Sequence, residues 1–239
     1  MAALTFRWRA GSRITVPHYY DFGNDRRLVG DELDRPDAWD AIRTRTESQF
    51  TLPPTREAWE RHADRWNEGS VRARAIDRWL CAHSVGSLAS YGVGGASLEL
   101  WLHRLSPERS LTITEYAPAT VAWLTRFFTE AEVRHHNLLT DEPLDADVHL
   151  FSRIDQEFSD EAWQSILQRF SGRRILIATE GYHLEWMRKE LLLKHTNPNA
   201  TWAGWLRNRA AFEALWKRTH RSHFLRLGDL DGWALEPRR

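Results

Sequence analysis

The segment SLASYGVGGASLE, residues 87 to 99, constrains the fold more than any other part of the chain. A short apolar strand pattern runs directly into Gly92, Gly94 and Gly95, and a helical pattern begins at once. Glycines there let the backbone turn tightly and let a ligand come within van der Waals contact, while the helix start offers unpaired N–H groups. Glu115 stands 23 residues beyond Gly92, at the end of the next strand pattern. A carboxylate in that place can accept both hydroxyl hydrogens of a ribose. A glycine turn alone is weak evidence of a ligand, since a tight turn with an empty face looks the same. Turn, helix, strand and terminal acid in that order are considerably stronger together.

The rest of the chain repeats this alternation. Strand patterns fall at residues 86–92, 110–116, 132–138, 146–154 and 174–181, and amphipathic helical patterns separate most of them. That is the signature of βαβ units and a mostly parallel sheet. Pro107 stops the first helix, Pro118 opens the second, and Ser159 with Gly172 brackets the third. RILIATEG, residues 174–181, is the most apolar strand and is expected at the centre with both faces covered. A last helix is expected over 207–219, followed by SHFLRLGD and GWALEPR as a terminal hairpin. Upstream, Thr55 to Ala82 has helical spacing. The expected organisation is one domain: a cap or lid over 1–55, leading helices over 56–85, and a core over 86–239 with a less regular lid insertion near 182–206.

Composition removes several functional classes. The chain of 239 residues carries 33 Lys+Arg against 33 Asp+Glu, so no whole-molecule field draws it to a nucleic-acid backbone or an anionic membrane. Cys81 is the only cysteine, which excludes an internal disulfide, and no Cys/His array has zinc-site spacing. No stretch approaches the ~20 apolar residues that span a bilayer. Arg7 and Arg9 interrupt the start before an apolar leader develops. The expectation is a soluble cytoplasmic protein with no nucleic-acid or membrane partner.

With Ser97 where a dinucleotide-binding fingerprint has its third glycine, the chain resembles a different group, the class I S-adenosylmethionine-dependent methyltransferases. Their first motif reads roughly acid-x-Gly-x-Gly-x-Gly after a helical N-terminal extension. The resemblance covers about residues 68–239 and includes the closing hairpin. It implies an α/β fold with a seven-stranded, mostly parallel, Rossmann-like sheet of order 3-2-1-4-5-7-6, helices on both faces and an N-terminal helical cap. It implies S-adenosyl-L-methionine as cofactor. By position, Tyr91, Gly92 and Gly94 would line its methionine and ribose part, Glu115 would hold the ribose hydroxyls, and Tyr116 would lie beside the adenine. Asn137 and Leu138 would meet the adenine ring, and Ser152 and Arg153 would lie next to the transferred methyl group. Two positions depart from the pattern: Ser90-Tyr91 replaces the usual acid before the first glycine, and Asn137 replaces a usual Asp.

Methyl transfer from a sulfonium is an in-line displacement that gains from alignment and water exclusion and needs no metal. An acceptor hydroxyl or protonated amine would also need a base. The resemblance places the acceptor site at the N-terminal cap, with His18, Tyr19 and Tyr20, and at the loops after strands four and five. Those loops hold Arg153, Asp155 and Glu157, then Glu180, Tyr182 and His183. His183 is the first choice as base, with Arg153 and Tyr20 as the other catalytic candidates. His135 and His136 are adjacent on a strand and so face opposite ways. Trp186, Trp202, Trp205 and Trp216 would mostly cover the sheet, with one or two walling an acceptor pocket. The expected activity is methylation of an oxygen or nitrogen of a small molecule, by a chain that can exist as a homodimer. A nicotinamide-dependent oxidoreductase and a non-catalytic protein that kept the fold are the alternatives.

Overall fold

Helix and strand signals of the sequence are realised in strict succession in a computed structural model, which describes residues 11–21, 36–44, 50–180, 187, 189, 192, 193, 196, 197 and 200–238. Strand β1 (Thr15–Asp21) and helix α1 (Pro36–Arg43) precede a helical pair, α2 (Arg56–Arg65) and α3 (Asn67–Ala82). There follow β2 (Ser87–Tyr91), α4 (Ser97–Leu105), β3 (Ser110–Glu115), α5 (Pro118–Phe127) and β4 (Glu132–His135). The chain continues through β5 (Val148–Ser152), α6 (Asp160–Arg169), β6 (Ile175–Thr179), β7 (Ala200–Arg207) and α7 (Arg209–Trp216). It closes with β8 (His220–Leu227) and β9 (Leu230–Pro237).

Seven strands form the central sheet in the order β4-β3-β2-β5-β6-β9-β8. The first five are parallel, and β9 runs antiparallel to both β6 and β8. Numbered within this sheet the order reads 3-2-1-4-5-7-6. Numbered over the whole chain it departs from that, because β1 and β7 pair antiparallel in a sheet of their own. Neither had been expected as a strand. Their sequences carry scattered aromatic and polar residues instead of clean alternation, and nearly the whole chain separates them.

Period-two alternation divides the sheet's side chains between two cores. Leu88, Leu150 and Leu176 pack with residues of α2, α3, α4 and α5 on one face. Ala89, Tyr91, Phe151 and Ile177 pack with α6 and α7 on the other. Strand β6 is buried at all five positions, as its apolar sequence requires. Trp59, Trp163 and Trp216 are among the largest fully buried side chains, so these tryptophans cover the sheet.

The helical stretch from Thr55 to Ala82 is two helices, α2 and α3. Thr55 Oγ1 caps the first by accepting from the Ala58 amide at 3.2 Å. The chain then breaks at Trp66, whose amide donates to Ala63 O at 3.2 Å. Its indole lies over Gly69, where an added Cβ would come 2.0 Å from the ring. Only glycine leaves room for that ring. Helix α3 is tied to the terminal hairpin at Asp229, which accepts from Arg72 Nε at 2.7 Å and Nη2 at 2.6 Å. Among the described residues, no helix is long and apolar enough to cross a membrane.

Candidate active site

The glycine turn and Glu115 meet as their spacing implied. Gly92 has φ +64° and Gly94 φ +55°, and a Cβ on Gly92 would come 2.8 Å from Ile154. Both positions therefore favour glycine, by backbone conformation at each and by close approach at the first. The amides of Gly92 and Val93 donate to Thr114 O at 2.9 and 3.2 Å, which pins the turn to the end of β3. Glu115 then reaches back. Its Oε2 accepts from the Gly94 amide at 2.9 Å, and its Oε1 from the amides of Tyr116 at 2.9 Å and Ala117 at 3.3 Å. The carboxylate is held at one fixed point against the glycine turn.

Helix α1 covers this point. Asp40 caps the start of α5, accepting from the amides of Ala119 at 3.0 Å and Thr120 at 3.3 Å. That contact delivers Arg43, whose Nη1 lies 3.3 Å from Glu115 Oε2 and donates to Thr120 Oγ1 at 3.0 Å. The Arg43 guanidinium also lies 4.9 Å from the centre of the Trp39 ring. Nothing in the first fifty residues distinguishes Arg43 or Trp39 as site residues. Their place depends on long-range docking of a short helix.

A cavity of about 320 Å³ opens between these groups and the β1–β7 sheet. Its lining includes Glu115, Tyr116, His136, Asn137 and Leu138, together with His18, Phe158, Trp202 and Gly204. A second cavity of about 380 Å³ runs beneath the glycine turn and is lined by residues 92–99 and 152–154 among others. Gly92, Arg153, Ile154, Gln156 and Glu157 border both, so the two form one trough along the carboxyl ends of the parallel strands. That is where open α/β sheets bind ligands.

The β1–β7 sheet is fixed over the trough by backbone contact. Trp205 N donates to Gln156 O at 2.7 Å, and Gly204, opposite His18 in the pairing, has φ +123°. A Cβ on Gly204 would come 1.9 Å from Gln156 O. The buried Arg207 guanidinium supports the same loop, donating to Asp160 Oδ1, Asp155 O and Phe158 O at 2.6, 2.8 and 2.5 Å. Gly204→Ala is expected to push β7 off this loop at a cost of about 2 kcal/mol, lowering the unfolding midpoint by roughly 4 to 8 °C. Differential scanning calorimetry checks it, and an unchanged midpoint would show that the loop yields freely.

Several titratable groups here are displaced from their ordinary values. Burial pushes Asp155 up to about 6, with Arg207 opposing and Glu180 adding. Burial also pushes Glu157 up to about 7, with Glu115 and Asp155 adding and Arg43 opposing. Glu157 is nevertheless exposed to solvent, which screens this shift. His136 is held below its usual value by burial, with Asp141 opposing. Its Nε2 is a buried nitrogen with no partner among the described residues.

Arg153 stands at the end of β5 with φ +59°, and its Nη2 pairs with Glu180 Oε1 at 2.9 Å. Of the residues singled out from sequence, Gly92, Glu115, Tyr116, Asn137, Leu138 and Arg153 line the first cavity. Gly94 and Ser152 line the second. Asn137 is engaged in its own turn, its Oδ1 accepting from the Leu139 amide at 2.9 Å.

The side chain of Tyr91 corrects the expectation for that residue. Alternation sends it to the opposite core, 1% exposed, where its ring packs edge-on against Phe151 and Phe170. Its hydroxyl accepts from the Leu144 amide at 3.2 Å and lies 3.0 Å from His149 Nδ1. The backbone of Tyr91 leads into the turn, but the ring does not reach the trough. His183 lies outside the described residues. Tyr20 is placed in β1 opposite Thr201, and its side chain lies outside them too. His135 and His136 do face apart, His135 outward and His136 into the wall. Glu157, His18 and Trp202 had a sequence signal, since the N-terminal cap and the loop after β5 were expected to hold the acceptor and one or two of the C-terminal tryptophans to wall it.

The fold is that of the class I methyltransferases. Human N-acetylserotonin methyltransferase in complex with SAM matches with a TM-score of 0.60 and 18% identity, over 84% of this chain and 59% of that one. PigF with SAH matches at 0.59 and 14%, over 85% and 60%. An O-methyltransferase family protein from Burkholderia thailandensis matches at 0.56 and 14%, over 96% and 65%. The chain thus spans 59% and 60% of the length of the first two. No protein-family model matches the sequence, and no curated protein matches it.

Proposed function

We propose that the trough binds S-adenosylmethionine and that the protein transfers its methyl group to an oxygen or nitrogen of a small, largely aromatic molecule. The observation that carries this is the placement of Glu115 against the glycine turn, in the wall of a cavity that aromatic side chains also line. The residues present suit the cofactor. Glu115 offers acceptors for two ribose hydroxyls, the glycine turn leaves room for a close approach, and Leu138 and Ile154 supply apolar wall. S-adenosylmethionine, when bound, supplies an electrophilic methyl on a sulfonium. Two of the structural neighbours were solved with SAM or SAH, which supports the same occupant here.

Trp39, Phe50, Phe158 and Trp202 offer flat apolar walls to an acceptor. Glu157 borders this space with a carboxyl raised toward neutrality, so it is placed to take the proton an acceptor hydroxyl loses as the new bond forms. His18 shares the wall, and His183 remains the candidate from the loop after β6. Arg153, paired with Glu180, orients the boundary between the cofactor and acceptor ends. The N-terminal strand and helix act as the cap that excludes water.

Turnover with a panel of phenols, alcohols and amines, read as S-adenosylhomocysteine released, tests the transferase reading. Acceptor-dependent release is expected, strongest for phenols. Binding of the cofactor with no turnover on any acceptor would favour a protein that kept the fold without the activity.

A further inference from the structure

Strand alternation that turns Tyr91 away from the trough turns Ser90 toward α4. Ser90 Oγ donates to Glu99 Oε1 at 2.7 Å, both residues being buried. Glu99 lies in the first turn of α4, is 3% exposed, and lines the cavity beneath the glycine turn with Gly92, Gly94, Ser152 and Arg153. Among the described residues no cation pairs with it. A carboxylate enclosed in this way is unfavourable unless a positive group comes to it, and here burial pushes the carboxyl up to about 7. The end of β2 carries no acid of its own, and Glu99 is a buried carboxyl of the cavity wall bonded to Ser90 of that strand.

The reading of the trough given above, on which this inference rests, supplies a cationic occupant. S-adenosylmethionine carries positive charge on its sulfonium and on its α-ammonium group. We propose that Glu99, positioned by Ser90, recognises the positive charge of the cofactor's methionyl end, supplying from the helix the acid that the strand lacks. Glu115 then reads the ribose and Glu99 the charged tail, from opposite sides of one glycine turn.

The test compares three ligands with wild type, Glu99→Gln and Ser90→Ala by titration calorimetry at pH 8. S-adenosylmethionine has both positive groups, S-adenosylhomocysteine has only the ammonium, and 5′-methylthioadenosine has neither. Glu99→Gln keeps the shape and the bond from Ser90 and removes the charge. It is expected to weaken S-adenosylmethionine about tenfold or more and to leave 5′-methylthioadenosine within about twofold. A loss confined to S-adenosylmethionine assigns the sulfonium, and a loss shared with S-adenosylhomocysteine assigns the ammonium. Ser90→Ala is expected to show the same pattern more weakly, and it carries the test if Glu99→Gln does not fold.

Equal weakening of all three ligands would mark Glu99 as structural and overturn the proposal, as would no change in any. If wild type binds none of the three, the cofactor reading itself fails, and this inference with it. That outcome is distinct from a selective failure at Glu99.

Discussion

Replacing Glu115 with alanine is expected to weaken S-adenosylmethionine binding about 100-fold. Each charge-assisted hydrogen bond from a ribose hydroxyl contributes roughly 1.5 kcal/mol, and two together correspond to about two decades in Kd. Glu115 is 2% exposed and already held by the Gly94, Tyr116 and Ala117 amides, so little further ordering is needed when the ribose arrives. The same amides lose their partner in the alanine variant. Glu115→Gln keeps one acceptor oxygen and is expected to fall between the two. Titration calorimetry, with thermal unfolding to confirm that each variant is folded, checks the order. An unchanged affinity in Glu115→Ala would remove the ribose assignment.

The second large effect concerns acid stability and lies in the core under the trough. His149 is fully buried, and burial lowers its pKa from 6.5 to about 4, with Arg173 and His136 adding to the shift. The Tyr91 hydroxyl accepts from the Leu144 amide and lies 3.0 Å from Nδ1, while Nε2 is buried without a partner among the described residues.

A base whose folded pKa is depressed favours the folded state fully above its unfolded pKa. That contribution falls away as the pH drops from about 6.5 to about 4, where the unfolded chain takes up a proton that the folded core refuses. The loss is on the order of 3 kcal/mol. Glu99 and Asp155 act in the opposite sense. Their raised pKa values, about 7 and about 6, stabilise the fold at low pH and lose that contribution as the pH rises through them. The difference between wild type and His149→Gln therefore isolates the histidine. Urea unfolding at pH 7.5 and pH 4.5 is expected to show a smaller loss of stability in the variant, and equal losses would contradict the assignment.

Much of the fold was legible because its signals are local. Pro118 at the start of α5, the Ser159 cap of α6 and the Gly228 turn between β8 and β9 each act within a few residues of themselves. The glycine turn and Glu115 were legible for a similar reason, since one βαβ unit fixes their relation. Tyr91 was misplaced because position along a motif does not say which face of a strand a side chain takes. Alternation from Leu88, on the α4 face, would have sent Ser90 to that face and Tyr91 to the other.

Arg43 and the β1–β7 sheet left no comparable trace. Their positions follow from docking across the chain, through Asp40 on the start of α5 and Gly204 on Gln156, and no local pattern encodes such contacts. The position of the break at Trp66 likewise has no local signal, because it rests on an indole seated over Gly69 and not on a proline.

The most direct measurement is a crystal structure of the protein with S-adenosylhomocysteine. The ribose hydroxyls are expected on Glu115 with Arg43 moved off that carboxylate, the adenine against Asn137 and Leu138, and the methionyl tail by the glycine turn beside Glu99. A ligand bound away from Glu115, or a complex in which Arg43 still holds that carboxylate, would contradict this placement.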